Sequence, residues 1–277
     1  MQDNQINRIK DVLNKHNLWP KKNLGQNFLI DEEILNKITA NAEIKSDDFI
    51  LEIGPGVGFL TEKLFEKARL VLAVEKDFKM VEFLRKKFKN VKNVKIIHTD
   101  ILSYDLALVT KDYKIVANLP YNISSPVIKK FLETDNKPSL LVLMLQKEVA
   151  ERLSAKLGDS NRGILTVMIE LFGEAEIVEN VMREKFYPMP DVDSAVIKIK
   201  VKSEKINFNP VSFMRFVKVG FSQKRRQIHH PLIAGLKLSK PEVLDILKLA
   251  KINFTKRAED LALSDWVSLY QIIAGRN

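Results

Sequence analysis

The tetrapeptide Asn118-Leu119-Pro120-Tyr121 combines residue types that suit chemistry on an aromatic amine. The lone pair of such an amine is delocalised into its ring, so the nitrogen is a poor nucleophile. The side-chain oxygen of Asn118 and the main-chain carbonyl of Leu119 can each accept one amine hydrogen, which draws the nitrogen towards tetrahedral geometry without a basic side chain. Tyr121 can stack on the ring, and Pro120 restricts a loop that must hold the reactants in line. An ordinary proline-containing turn is the alternative for the tetrapeptide taken alone.

A glycine-rich turn from Glu52 to Gly58 (EIGPGVG) removes side chains where the chain must turn tightly after a strand. A ligand can therefore lie against bare backbone at Gly54 and Gly56. Enzymes that bind NAD use G-x-G-x-x-G in this position to bring pyrophosphate onto a helix N-terminus. Here the pattern is G-x-G-x-G, without the third glycine at dinucleotide spacing. It favours S-adenosylmethionine, which has no phosphate, over NAD, which stays the alternative.

Two acidic residues end the apolar runs that follow this turn. Glu75 comes 21 positions after Gly54 and can accept hydrogen bonds from both ribose hydroxyls of a bound nucleoside. Asp100 ends the next run and can accept a hydrogen bond from the adenine amino group of the cofactor. Each could instead be a helix N-cap or a surface carboxylate.

The elements that must position these residues alternate in type along the chain. Short apolar runs predict strands, and amphipathic stretches such as residues 78–88 predict helices between them. This alternation predicts an α/β fold with a mostly parallel sheet and helices on both faces. Two later runs would add an antiparallel pair at one edge, and from Pro210 onward helical periodicity replaces the strand signals. The predicted strands are 49–54, 70–75, 94–97, 114–117, 140–145, 175–181 and 194–201.

The composition limits the classes of protein that this chain can be. Of its 277 residues 45% are hydrophobic and 29% charged, and none is cysteine, so disulfides and thiolate metal sites are excluded. No run approaches the 18 or more uncharged apolar residues of a membrane span. Residues 1–22 are polar and do not resemble a secretory signal, so we expect a cytoplasmic protein without a membrane partner.

The net charge of +10 lies in the last third of the sequence. From Lys198 to Asn277 there are 16 Lys and Arg against 6 Asp and Glu, whereas the first 197 residues hold 29 of each. A local excess of this size predicts a surface for a polyanion such as nucleic acid. A helical surface kept solvated by lysines is the alternative.

A proline-punctuated loop, residues 185–193 (KFYPMPDVD), contains a further aromatic candidate. Phe186 could provide a second face for a target base that has been pulled out of its stack. It could equally anchor the loop in the core.

Taken together, these motifs resemble the ribosomal RNA adenine dimethyltransferases, specifically the bacterial 16S type. The resemblance covers most of residues 20–230 in the expected order. It implies a Rossmann-like class I methyltransferase sheet with an antiparallel edge, plus a small helical C-terminal domain. We expect residues 1–30 to close over the cofactor, 31–205 to form the S-adenosylmethionine-binding domain and 206–277 to bind RNA. The matching segments are 23–29 (NLGQNFL), 52–61, Glu75, Asp100, 118–124 (NLPYNIS), 145–150 (LQKEVA) and 186–196.

The resemblance also implies roles that residue chemistry alone does not. Asn27 and Leu29 would close over the cofactor, with Gly54, Gly56, Glu75, Asp100 and Asn118 completing its site. The implied reaction is two methyl transfers to each of two adjacent adenosines near the 3′ end of 16S rRNA. It would take place in a small-subunit precursor particle, with the enzyme as a monomer. The related 23S rRNA methyltransferases that confer antibiotic resistance, and a non-catalytic RNA-binding assembly factor, are the alternatives.

The basic run in the C-terminal part resembles the family's arginine-rich element, which makes Lys224, Arg225 and Arg226 the candidate phosphate contacts. The following residues 227–231 (QIHHP) depart from the family pattern, which puts the RNA contacts of that helix in doubt. His229 and His230 do not predict a metal site, because adjacent side chains diverge on a helix and no cysteine or carboxylate accompanies them.

Overall fold

The computed structural model describes residues 2–204 and 206–276, and it divides into two compact units. Unit 1 comprises residues 1–150 and 175–202, and unit 2 comprises residues 151–174 and 203–277. The nine strands are β1 (Phe28–Leu29), β2 (Phe49–Ile53), β3 (Leu70–Glu75), β4 (Val94–His98), β5 (Tyr113–Asn118), β6 (Leu140–Gln146), β7 (Gly173–Val181), β8 (Phe186–Tyr187) and β9 (Ser194–Val201).

Seven of these strands form one sheet in the order β4-β3-β2-β5-β6-β9-β7. The five from β4 to β6 are parallel, and β9 runs antiparallel to β6. The first six residues of β6 are all buried, as expected for a strand that is covered on both faces. The sheet confirms the predicted α/β fold, with β9 inserted between β6 and the edge strand β7. A second, two-stranded sheet pairs β1 with β8.

Eleven helices surround or follow the strands within the described residues. Several begin at polar caps, such as Asp31, whose side chain accepts from the main-chain N–H of Ile34. The helices are α1 (Gln2–Lys15), α2 (Glu32–Asn41), α3 (Phe59–Phe65), α4 (Phe78–Lys87), α5 (Ser124–Glu133), α6 (Lys147–Leu153), α7 (Ile164–Phe172), α8 (Pro210–Gly220), α9 (His229–Leu236), α10 (Lys240–Leu249) and α11 (Leu263–Ala274).

The N-terminal helix α1 was not predicted. Its apolar residues Ile6, Ile9 and Leu13 follow helical spacing, and Ile9 and Leu13 are buried. With Leu18 they join a core cluster that includes Met80 and other residues of α4. The N-terminal residues are therefore an integral part of unit 1.

Unit 2 is helical, as predicted for the C-terminal part, but it also includes the segment 151–174. The sequence placed that segment with the sheet. In the structure α7 packs against α8 and α11. Counted over unit 2, the sequence has 16 Lys and Arg against 10 Asp and Glu. This excess is smaller than that of residues 198–277 mainly because Lys198, Lys200 and Lys202 belong to unit 1.

Across the described residues, no helix combines the length and apolarity that crossing a membrane requires.

Candidate active site

One cleft opens at the carboxyl ends of the parallel strands in unit 1, where open α/β sheets bind their ligands. Most of the sequence-predicted site residues line it: Asn27, Leu29, Gly54, Gly56, Glu75, Asp100, Asn118, Leu119 and Tyr121. Residues 23–29, which precede the sheet, cover part of the same cleft. The structure thus brings together residues that are up to 94 positions apart in the sequence.

The glycine turn lies between β2 and α3 and presents main chain to the cleft. Gly54 and Gly56 both have left-handed backbones, with φ of 66° and 56°. A Cβ atom added at Gly56 would lie 2.8 Å from two ring carbons of Phe28, which comes from the N-terminal segment. Glycine is therefore required at position 56 both by the backbone conformation and by the close approach of the Phe28 ring.

Glu75 ends β3 with its carboxylate held against this turn. Its Oε2 accepts from the Gly56 N–H at 3.3 Å, and its Oε1 accepts from the Asp77 N–H at 2.8 Å. Burial raises the pKa of Glu75, and these main-chain donors oppose that shift. Carboxylate oxygens each accept more than one hydrogen bond, so the fixed carboxylate can also accept from ligand hydroxyls.

Asp100 lies just beyond the end of β4 and lines the cleft. Its Oδ2 accepts from Lys76 Nζ at 2.8 Å, and its Oδ1 accepts from the Leu102 N–H at 2.9 Å. The hydrogen bond from Lys76 is the main reason that the pKa of Asp100 is lowered. The group is an ionised acceptor at neutral pH, suited to a ligand N–H.

Asn118 is the last residue of β5, and its side chain is oriented by the N-terminal segment. Its Nδ2 donates to the main-chain carbonyl of Asn27 at 3.0 Å. The donor end of the amide is thus engaged, and Oδ1 is the end left to accept a hydrogen from a ligand. The next residue, Leu119, is buried and fixed by its N–H, which donates to the carbonyl of Met144 at 3.2 Å.

Tyr121 begins a short turn before α5, and its hydroxyl lies 2.7 Å from Ser194 Oγ. The ring is half-buried, and burial raises the pKa of the phenol, which therefore stays neutral. Because the hydroxyl is anchored on β9, the ring has a fixed orientation at the cleft.

Phe186 does not line the cleft. Its side chain is 2% exposed and packs in the core cluster with Leu29, opposite which it pairs in the small sheet. This position fits the role of a loop anchor, the alternative that the sequence leaves open. The role of Phe186 as a second stacking face stays a prediction.

The sequence reading assigned no role to Glu52, although this residue lines the cleft. It is 1% exposed; its Oε2 accepts from Thr61 Oγ1 at 2.7 Å, and within the described chain its Oε1 has no hydrogen-bond partner. Burial raises its pKa to about 8. The sequence signal for this residue was an acidic side chain inside an otherwise apolar strand, because glutamate is almost never fully buried unless it has a partner.

In unit 2, Lys224, Arg225 and Arg226 are all exposed in the turn between α8 and α9. The atypical residues that follow them have structural roles. Ile228 is buried, and its N–H donates to the carbonyl of Lys256, while His229 Nδ1 lies 3.1 Å from the carbonyl of Phe254. The segment after the basic run is thus tied to the turn before α11.

Comparison with known proteins gives matches over nearly the whole chain. The family model described as ribosomal RNA adenine dimethylase matches residues 18–275. Ribosomal RNA small subunit methyltransferase A of Dehalococcoides mccartyi is 41% identical over 273 residues, which cover 97% of this chain and 93% of that protein. The protein of the same name from Clostridioides difficile is 37% identical, with 96% and 95% covered.

Two solved structures are similar throughout. A dimethyladenosine transferase from Plasmodium falciparum has a TM-score of 0.79 at 31% identity, covering 89% of this chain and 97% of that chain. The 23S rRNA methyltransferase ErmE has a TM-score of 0.71 at 27% identity, covering 90% and 100%.

Proposed function

This chain belongs to the ribosomal RNA adenine dimethylase family, and on that premise we propose that it methylates the exocyclic amino groups of two adjacent adenosines near the 3′ end of 16S rRNA. The methyl donor is S-adenosylmethionine. The observation that carries the proposal is the orientation of Asn118, whose Nδ2 is engaged by Asn27 so that Oδ1 can accept from an amine. The curated relatives named for the small subunit favour its RNA as the substrate.

The residues of the cleft fit S-adenosylmethionine. The bare main chain at Gly54 and Gly56 allows the close approach that a nucleoside-containing ligand makes. Glu75, fixed by two main-chain donors, would accept from the ribose hydroxyls, and Asp100 would accept from the adenine amino group. When bound, the cofactor supplies a methyl group on a positively charged sulfur. Asn27 and Leu29 would cover it from the N-terminal side.

The target amine would be held by two acceptors of this chain. Asn118 Oδ1 and the Leu119 carbonyl each take one hydrogen of the amine, which localises the nitrogen lone pair for attack. Neither acceptor is a base, so the rate depends on their placement rather than on proton abstraction. Tyr121, with its hydroxyl anchored by Ser194, would stack on the adenine ring after it leaves the RNA stack.

The basic run Lys224 to Arg226 would contact the RNA backbone. We propose that residues 1–30 act as the cofactor-closing segment, that the part of 31–205 lying in unit 1 acts as the methyltransferase domain, and that 206–277 act as the RNA-binding part. The enzyme would act as a monomer in the cytoplasm, on a precursor particle of the small subunit, where its substrate RNA is assembled.

The test is transfer of labelled methyl groups from S-adenosylmethionine to small-subunit particles from cells that lack the enzyme, followed by mapping of the modified nucleotides. We expect two adjacent dimethyladenosines near the 3′ end of the RNA. Transfer to large-subunit RNA assayed in parallel, with none to the small-subunit particles, would favour the ErmE-like activity instead. RNA binding without cofactor binding or transfer would indicate a non-catalytic assembly factor.

A further inference from the structure

The segment of residues 20–30, here called the strap, contacts both sides of the cleft. On one side Lys21 Nζ donates to Asp77 Oδ1 at 2.9 Å, and Gln26 Nε2 donates to Asp77 Oδ2 at 3.4 Å. On the other side the carbonyl of Asn27 accepts from Asn118. One short stretch of chain therefore links the end of β3, where Glu75 lies, to the end of β5, where Asn118 lies.

Asp77 is well placed to hold the strap. Its side chain is 1% exposed, and it also caps α4 by accepting from the Lys79 N–H at 3.0 Å. Burial by itself raises the pKa of Asp77, but the hydrogen bond from Lys21 and the cap outweigh this and hold its pKa below the ordinary value. A buried carboxylate of this kind depends strongly on its cationic partner.

Asp77 also holds the carboxylate proposed to bind the cofactor, because its main-chain N–H donates to Glu75 Oε1. Gln26 is fixed in turn, because its Oε1 accepts from the Lys21 N–H at 2.8 Å. Lys21, Gln26 and Asp77 thus form a closed set of hydrogen bonds, here called the clasp. Their arrangement fixes the residue immediately before Asn27.

The far end of the strap has its own anchor. Phe28 and Leu29 pair with Tyr187 and Phe186 of β8, independently of the clasp. Loss of the clasp would therefore release residues 20–27 while β1 stays in place. Asn27 lies at the boundary between the two anchored parts. Loss of the clasp would therefore shift its carbonyl, which is the strap atom that Asn118 contacts.

We propose that the clasp of Lys21, Gln26 and Asp77 positions the Asn27 carbonyl, and through it the Asn118 amide, for methyl transfer. Lys21 and Asp77 are positioning residues that do not touch the substrate. The inference rests on the proposed function of Asn118. Its consequence is that a surface lysine outside the cleft controls the rate of the chemical step more than it controls cofactor affinity.

The experiment compares Lys21→Met, Asp77→Asn and their combination with the wild type. Asparagine at position 77 can still cap α4, so it removes the charge without removing the cap. Lys22→Met is the matched control, because it removes a charge from the same exposed turn without changing a clasp residue. The measurements are the single-turnover rate of methyl transfer to small-subunit particles at saturating S-adenosylmethionine, and the Kd for S-adenosylhomocysteine by calorimetry.

We expect Lys21→Met and Asp77→Asn each to lower the single-turnover rate about tenfold, the effect of losing a charged hydrogen bond of roughly 1.4 kcal/mol. The Kd should change less than threefold, and the double variant should be no slower than either single one. Lys22→Met should match the wild type. Hydrogen exchange at residues 24–27 should quicken in the clasp variants alone.

A second cycle separates positioning from a general loss of stability. In an Asn118→Ala background, Lys21→Met should lower the residual rate less than twofold, because the amide that the clasp orients is gone. A full tenfold loss in that background, or a wild-type rate in Lys21→Met, would overturn the proposal. Absence of transfer by the wild type would instead overturn the proposed function itself.

Discussion

The side-chain amide of Asn118 donates to the main-chain carbonyl of Asn27 across 3.0 Å and 91 positions of sequence. An amide has one donor end and one acceptor end, so this bond determines which end faces the cleft. The sequence assigns Asn27 to cofactor closure and Asn118 to amine binding, and this hydrogen bond couples the two residues. The coupling uses the main-chain carbonyl of Asn27, so the type of its side chain does not predict it.

Replacement of Asn118 by alanine should lower the rate of methyl transfer at least a hundredfold, because it removes an acceptor on which the attacking amine depends. Cofactor affinity should fall only modestly, since the glycine turn and Glu75 remain. Asn27→Ala is the matched comparison. It keeps the carbonyl that orients Asn118, so it should retain much more activity. Single-turnover rates and calorimetric Kd values for both variants check this, and equal activity in Asn118→Ala would refute the role.

Replacement of Gly56 by alanine should weaken cofactor binding by at least tenfold. The new Cβ would need a left-handed backbone and would lie 2.8 Å from the Phe28 ring, so the strap or the turn must move. Gly158→Ala is the control, because Gly158 has φ of 80° but nothing within 4 Å of a new Cβ. It should cost stability through backbone strain alone while cofactor affinity stays at the wild-type value. Calorimetry with S-adenosylhomocysteine measures both, and unchanged affinity in Gly56→Ala would contradict the close approach seen here.

Much of the sheet, and most of the site residues at the carboxyl ends of its strands, were predictable because they depend on local sequence patterns. The runs that became β2, β3 and β6 are short and mostly apolar, with turn signals at their ends, and parallel strands buried on both faces have this composition. The carboxyl ends of such strands meet at one edge, so Glu75 and Asn118 were expected at the same cleft, where the structure places them.

The clasp and the position of Phe186 could not be predicted in the same way. The Lys21 to Asp77 contact joins residues 56 positions apart, and nothing in either residue type distinguishes these two from the other lysines and aspartates of the sequence. Phe186 lies in a segment whose prolines indicate a rigid backbone, but they do not indicate which way the Phe186 ring points. Whether its ring faced the cleft or the core depended on pairing between β1 and β8, two-residue strands too short to leave a periodic signal.

The buried carboxyl of Glu52 predicts a specific dependence of stability on pH. Its pKa is raised by burial from an ordinary 4.5 to about 8. Between these values the folded protein holds a proton that the unfolded chain has lost, so the contribution to stability is complete below about pH 4.5 and declines as pH rises to about 8. Each pKa unit of difference corresponds to about 1.4 kcal/mol.

Glu52→Gln should remove this dependence, because the neutral amide can still accept from Thr61. The free energy of unfolding of the variant minus that of the wild type should therefore increase from pH 5 to pH 8 and stay constant above it. Urea unfolding at four pH values in this range measures the difference. Glu66→Gln, which makes the same substitution at an exposed acid beside α3, is the control. If the difference between Glu52→Gln and the wild type does not vary with pH, the carboxyl of Glu52 is ionised in the folded protein.

The exposed basic run of unit 2 predicts a change in the salt dependence of RNA binding. If Arg225 and Arg226 each neutralise one phosphate, replacing both by alanine should reduce the slope of log K against log salt by about 0.7 to 0.9 per lost contact, because fewer counterions are released. The measurement is a titration of small-subunit RNA between low and moderate salt. A matched loss of two charges on α10, Lys240→Ala with Lys248→Ala, should leave the slope unchanged. Only residues in contact with phosphate can change the number of ions released. If the two substitutions on α10 lower the slope and the two arginine substitutions do not, the RNA binds along α10 instead.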